Sequence, residues 1–323
     1  MRIALVGDVM LGRLVNDRLR REGPAYPWGD VLPLLERAAL RFANLECVIA
    51  DDGPPWPRKT FHFRSDRKNV AVLRAARIDV VSLANNHTLD HGVQALQEML
   101  PVLDRHGILH AGAGPDAEAA RRPAVCVRDG TAVGFIAFTD NEPGWAAGPG
   151  SPGVLHVPVD LREARAQELL ELVRQTRDRT GFLVVSAHWG SNWGSEVPGE
   201  HRAFAHALVD AGADVVFGHS AHIFRGVEVY RGRPVVYSAG DFIDDYAVDP
   251  EERNDQSFLF LLEVQDGLPR SLRLHPTVIA DFRAGLATAE ARSIAARMQE
   301  LSAELGTSCS WLDDERCLIL PLA

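Results

Sequence analysis

Two histidines, His219 and His222, stand three positions apart at the end of the apolar run Val215–Phe217, after Gly218. Imidazole is the commonest neutral ligand of a divalent metal, and a buried strand opening into a loop at its carboxyl end is where α/β folds keep their chemistry. Four other apolar runs end the same way. Ile3–Val6 leads into Gly7-Asp8, and FANLECV places Asn44 and Glu46 at a strand tip. Ile78–Leu83 runs into Asn86-His87, and Phe182–Ser186 ends at His188. Carboxylate, amide oxygen and imidazole together suit one or two divalent ions such as Mn, Fe, Zn, Co or Mg. None of the candidate ligands at these tips is a cysteine, which disfavours a structural thiolate zinc site.

The elements that must position these residues read as follows. Helical patterns fall at about 14–21, 31–39 (with Asp30 as N-cap), 66–76, 92–106, 161–177, 200–211 and 288–305. Asp129-Gly130 and Arg231-Gly232 mark hairpin turns, and FHFR alternates Phe61 and Phe63 against His62 and Arg64. Strands alternate with helices early and become hairpins late, so the fold class is α/β, a mixed sheet or two packed sheets flanked by helices. No linker or repeat divides the 323 residues, giving one domain with its core over about 1–280 and a terminal helix and short hairpin over 288–320.

A net charge of −10 makes nucleic acid an unexpected partner, so an anionic small-molecule or peptide substrate would need a local positive centre. Scattered cysteines and a first apolar run too short for a signal or membrane segment give a cytoplasmic expectation. The oligomeric state is left open.

The order GD, NLE, NNH, HWG and GHxxH resembles the CapA family of poly-γ-glutamate capsule-synthesis proteins, a branch of the calcineurin-like metallophosphoesterase superfamily. The resemblance covers roughly residues 1–280. It implies a metallophosphoesterase-like four-layer α/β/β/α sandwich with two mixed β-sheets between helices, and two metals at the sheet ends. Carried over, Asp8 ligates one metal, completed by His222, and Glu46 sits at or near the bridge. Asn86, His188 and His219 hold the second metal, and His87 supplies a proton to the leaving group. Three departures stand out: Met10 replaces the usual histidine of Asp-x-His, Asn44 and Glu46 stand where an aspartate is usual, and the last histidines are three apart instead of two.

Beyond the ligands, Arg64, Lys59 and Arg13 are candidate anion-binding cations, with Asn44 as a further substrate contact. Asp241, with Asp244 and Asp245, lines the rim or positions His87 as part of the catalytic set. Trp189 and Trp193 form a cleft wall, and Trp145 borders a pocket. The remaining histidines at 91, 106, 110, 201, 206 and 275 are read as structural. The implied function is metal-dependent hydrolysis of a phosphoester or related anionic substrate. Three alternatives stay open: a role in poly-γ-glutamate or capsule metabolism, proton transfer (epimerisation) on a peptide, and non-catalytic binding. No GxxxxGK[ST] loop for ATP is present.

Overall fold

The computed structural model describes residues 1–322. Its first sheet runs Ser310–Leu312, Cys317–Pro321, Leu268–Ala280, Gln256–Gln265, Arg2–Val9, Leu40–Leu45, Val80–Ser82, Leu109–Ala111. The last four strands are mutually parallel and the others antiparallel, so the sheet is mixed. A second mixed sheet runs Val227–Tyr230, Arg233–Val236, Val215–His219, Phe182–His188, Thr131–Thr139, Ala124–Arg128.

Side-chain alternation sorts each strand between layers. Ile3, Leu5, Leu40, Phe42, Val80, Phe135, Val184, Val215 and Phe217 fill the space between the sheets. Ala4, Val6, Ala43 and Val81 face a helical layer that includes Gly92–Arg105. Leu183, Val185 and Val216 face Ala164–Arg177 and Gly199–Ala211 on the other side. The result is the four-layer α/β/β/α sandwich that the resemblance implied. The helix Ala291–Glu304 packs into the inter-sheet core at its edge, and the terminal hairpin extends the first sheet by pairing with Leu268–Ala280.

Local signals explain most elements. Leu96, Leu100 and Leu103 repeat at helical spacing and are buried. Asp129-Gly130 and Arg231-Gly232 both adopt positive φ (49° and 76°, 49° and 73°), the pairing a two-residue hairpin turn requires. Other expectations need correction. The first helix is only Arg13–Arg18, and 31–39 divides into a 3-10 turn, Tyr26–Val31, and a short helix, Leu32–Glu36. Asp30 caps neither; its carboxylate accepts the Leu286 N–H at 2.7 Å, a long-range contact invisible to local pattern. FHFR is not a full strand: Phe63 is buried while Phe61 is exposed, because only Arg64–Ser65 pairs, with Val48–Ile49.

The two sheets meet through aromatic contacts. Phe42 stacks on Phe135 at 5.3 Å and meets Phe217 edge-on at 6.1 Å. Phe42→Ala is expected to lower stability by about 3–5 kcal/mol, read as a urea midpoint shift at unchanged slope. A shift under about 1 kcal/mol would mean the inter-sheet core is not packed around this ring.

Candidate metal centre

The inner-face alternation that buries apolar side chains continues into polar ones at the strands' carboxyl ends. Phe42 is followed on the same face by Asn44 and Glu46, Val184 by Ser186 and His188, and Phe217 by His219. The first strand needs a correction to do this. By strict alternation Asp8 would join Ala4 and Val6 on the helical side. Pairing with Leu40–Leu45 instead skips Gly7, from Val6↔Ala43 to Asp8↔Asn44, and this bulge turns Asp8 inward and returns Val9 to the helical side. Only glycine fits there, since a Cβ on Gly7 would lie 1.9 Å from the Gly240 carbonyl oxygen. Beyond the bulge, Asp241–Ile243 pairs parallel with the first strand and sets Asp241 beside Asp8.

Asp8, Glu46, His188, His219, His222 and Asp241 therefore converge, all buried. Two groups have ligand atoms close enough to share an ion: Asp8, Glu46 and His188, and Asp8, His222 and Asp241. Asp8 belongs to both. Asp8 Oδ1 lies 3.3 Å from His219 Nδ1, and Asp8 Oδ2 lies 3.9 Å from His222 Nδ1. Glu46 Oε1 lies 3.9 Å from His188 Nε2 and 3.8 Å from His87 Nε2.

The supporting partners fix these groups. Asn44 Nδ2 donates to Asp8 Oδ1 at 2.8 Å and Glu46 Oε2 at 3.2 Å, while its oxygen accepts from Asn85 at 3.1 Å. Ser186 Oγ holds His219 Nε2 at 3.0 Å, leaving Nδ1 toward Asp8. Asp241 Oδ1 lies 2.8 Å from His222 Nδ1. Five buried atoms of the centre are left without a hydrogen-bond partner, Asp8 Oδ2, Glu46 Oε1, His188 Nε2, His219 Nδ1 and Asp241 Oδ2, and so is Asn86 Oδ1 in the turn before His87. Each such orphan costs about 1–3 kcal/mol, so together they would cancel on the order of a whole domain's stability. Their donor chemistry is that of a divalent-ion site, and the residues fit such an ion.

Electrostatics agree. Burial, then the charges of Asp8 and Asp241, push the Glu46 carboxyl well above the carboxylate range. Burial also raises Asp241, with the Asp8 charge adding to it. Burial opposes ionisation of Asp8, but the His219 ring 3.3 Å from its carboxylate and the charges of His188 and His222 outweigh it and hold the carboxyl low. Burial pulls His188 well below the usual imidazole range. Carboxylates crowded in a dry volume call for a cation.

Beside the ligands, His87 is held by Asp90, which the sequence reading missed. Asp90 Oδ2 lies 2.6 Å from His87 Nδ1 and accepts the Phe63 N–H at 2.6 Å. A carboxylate only accepts, so Nδ1 carries the proton and Nε2 faces Glu46. Burial outweighs the Asp90 bond and draws His87 down to about 4. Lys59 Nζ donates to Asp90 Oδ1 at 2.5 Å and to the Asn86 carbonyl, and sits 4.6 Å from the Trp145 ring. An Asp three residues after a turn histidine, in NNHTLD, was the available signal.

Several assignments change. Asn44, expected as a substrate contact, donates to Asp8 and Glu46 and accepts from Asn85, so its amide positions the two carboxylates. Asp241, expected at the rim or behind His87, faces Asp8 and His222 and lies in the second group, while Asp90 is the carboxylate on His87. The residue shared by both groups is Asp8, where Glu46 was expected. Arg64 turns outward, with Nη1 on the Asp51 carbonyl at 2.5 Å. Arg13 stays at the rim: its guanidinium lies 4.9 Å from the Phe63 ring, Nε is 3.3 Å from Asp245, and Nη1 is buried and unpartnered. Phe63 abuts His87 at 4.7 Å, and Tyr246 abuts His222 at 5.1 Å, walling the centre. Trp189 is core, its Nε1 donating to the Tyr237 carbonyl at 2.9 Å, whereas Trp193 is part-exposed. The histidines at 91, 106, 110, 201, 206 and 275 lie in neither group.

Three comparisons bear on this geometry. A family model described as "Bacterial capsule synthesis protein PGA_cap" matches residues 2–246. The chain is 37% identical over 283 residues to a "Probable polyglutamine synthesis accessory protein" of Mycobacterium tuberculosis, covering 76% of this chain and 74% of that protein. It is 28% identical over 245 residues to the "PGA biosynthesis protein CapA" of Bacillus subtilis, covering 75% of this chain and 63% of that one, under two thirds of its length. The crystal structure of a hypothetical protein from Thermus thermophilus shares the fold, with a TM-score of 0.54 at 18% identity over 85% of this chain and 98% of that one.

Protein purified without chelator is expected to carry at least one divalent ion per chain by elemental analysis. Asp8→Asn, which touches both groups, should lose it, while His87→Gln should keep it. Metal at about one hundred times its Kd should restore about 2.7 kcal/mol to chelator-stripped protein, seen as a rise in Tm. Equal metal content in wild type and Asp8→Asn would contradict the site.

Proposed function

Because the chain belongs to the PGA_cap family of bacterial capsule synthesis proteins, we propose that it is a metal-dependent hydrolase of an anionic substrate in capsule or polyglutamate metabolism. The observation that carries this reading is the set of unpaired buried carboxylate and imidazole atoms gathered from both sheets around Asp8. Asp8, Glu46 and His188 would hold one ion and Asp8, His222 and Asp241 a second, with His219 beside Asp8. Such an ion supplies Lewis-acid polarisation of an anionic group and acidifies water.

The chain's own residues do the rest. His87 exchanges a proton at Nε2, the ring atom aimed at Glu46, and Asp90 keeps Nδ1 protonated and the ring oriented. Lys59 ties the Asn86 turn to Asp90 and brings positive charge to the rim. Arg13 offers a buried unpaired nitrogen to a substrate oxyanion, and Phe63 and Tyr246 keep water from His87 and His222. The relatives' names, a polyglutamine synthesis accessory protein and a PGA biosynthesis protein, favour a polypeptide over a small phosphoester as the natural substrate.

A second reading, proton transfer on a peptide such as epimerisation, is favoured by the neutral His87 ring and by buried Met10 where the superfamily offers a metal-binding imidazole. It predicts deuterium uptake from D2O at a peptide Cα without bond cleavage.

The test is turnover of an aryl phosphodiester and of oligoglutamate with added Mn. His87→Gln is expected to lower kcat by about 10²–10⁴-fold with metal content unchanged, and Asp90→Asn by a smaller factor. Metal-loaded protein that cleaves neither substrate, or a His87→Gln variant as active as wild type, would overturn the hydrolase reading.

A further inference from the structure

A cavity of about 230 Å³ lies between the segment 154–157, the short helix Ala117–Ala120 and the outer helix Ala164–Arg177. None of its lining residues belongs to the metal centre. Its floor is apolar, built from Ala120, Val154, Val157, Leu169 and Leu172, all buried. Arg121, Arg165 and Glu168 line it with exposed side chains, and His156 with a buried one. An apolar hollow with a few convergent polar groups is the form that small-molecule sites take.

The two arginines differ from their neighbours. Arg122 pairs with Glu118 at 3.8 Å and Arg162 with Asp160 at 2.7 Å. Among the described residues, no carboxylate oxygen comes within ion-pair distance of Arg121 or Arg165. Arg165 is nonetheless held in place. His156 Nε2 lies 3.2 Å from the Asp140 carbonyl, which only accepts, so Nε2 carries the proton and Nδ1 is left as an acceptor. Arg165 Nη1 donates to that Nδ1 at 3.3 Å. Asp140 is fixed in turn, its carboxylate accepting the Gly190 N–H at 3.0 Å. Burial, with the Arg165 charge adding to it, outweighs the Asp140 bond and holds the imidazole below its usual range. A neutral ring cannot compensate a guanidinium, so Arg165 is positioned on the cavity wall with its charge unmatched.

We propose that this cavity binds a small organic monocarboxylate, its carboxylate on Arg165 and Arg121 and its apolar body on the floor. A guanidinium matches a carboxylate as a two-pronged donor. Two arginines less one glutamate leave a single positive charge, which a monoanion neutralises and a dianionic phosphate beside Glu168 would exceed. An apolar cavity of about 150 Å³ is enough for benzene, so about 230 Å³ admits one ring or a short branched chain with its carboxylate. The site stands whatever reaction the metal centre carries out.

The test is ligand-observed saturation-transfer NMR with benzoate on the full chain loaded with Mg, a diamagnetic ion. Benzamide serves as the neutral probe and inorganic phosphate as a competitor. Wild type should bind benzoate saturably and more tightly than benzamide, with phosphate displacing it only at higher concentration. Arg121→Gln with Arg165→Gln should weaken benzoate binding by at least about fivefold. Asp8→Asn should leave benzoate affinity at the wild-type value, which separates this cavity from a carboxylate held by the metal. Absent saturable binding, equal affinity in wild type and the arginine pair, or benzamide bound as tightly as benzoate would each overturn the proposal. Displacement by phosphate at equal concentration, or loss of binding in Asp8→Asn, would overturn it as well. Benzoate binding that depends on the two arginines, in protein that turns over no substrate, would uphold it and remove only the hydrolase reading.

Discussion

Everything around the centre depends on one constraint: Asp8 is buried among three imidazoles and two more carboxyls, with too few partners inside the protein to satisfy them. Asn44 is one donor serving two carboxylates, Asp8 and Glu46. The charges left over are pushed toward neutrality by burial and by each other, as Glu46 and Asp241 show. Burying unpaired charge is costly enough that chance packing does not gather it. A divalent ion resolves the conflict at once, because it accepts the lone pairs that no donor reaches.

The sandwich exists to hold that conflict in place. Phe42, Val184 and Phe217 fill the gap between the sheets, and the next same-face residues along those strands are Asn44, Ser186 and His219. The core and the centre are thus successive stretches of one inner surface, apolar first and polar at the carboxyl ends. A rigid core beneath the ligands limits how far they can move, which a preorganised metal site requires. The loop from Asp51 to Phe63 sits above it, tied down through Asp90 to Lys59, Phe63 and His87.

What was legible in the sequence and what was not divide along the same line. Strand tips ending in Asp8, Glu46, His188 and His219 could be read because an apolar run followed by a ligand is a local pattern. The Asn86-His87 pair was likewise local: Asn85 is consumed by Asn44 and the Leu45 carbonyl, leaving the Asn86 oxygen free. The role of Asp241 was not legible, because it depends on parallel pairing with a strand more than two hundred residues earlier. Asp90 was missed for the opposite reason: it is local, but its carboxylate matters only through the turn geometry that brings it to His87. Arg64 misled because alternation in FHFR assumes a strand that the chain does not complete. The Gly7 bulge shows the general point, since one unpaired residue reverses the face of Asp8, and a glycine in the sequence does not announce that it is a bulge.

The most direct test of the central claim is an anomalous difference map from a crystal grown with saturating Mn and measured near the Mn absorption edge. The account predicts a peak among the Asp8 and Glu46 oxygens and the His188 Nε2, with room for a second near His222 and Asp241. Ordered water in place of that peak, or a peak elsewhere on the protein, would contradict it.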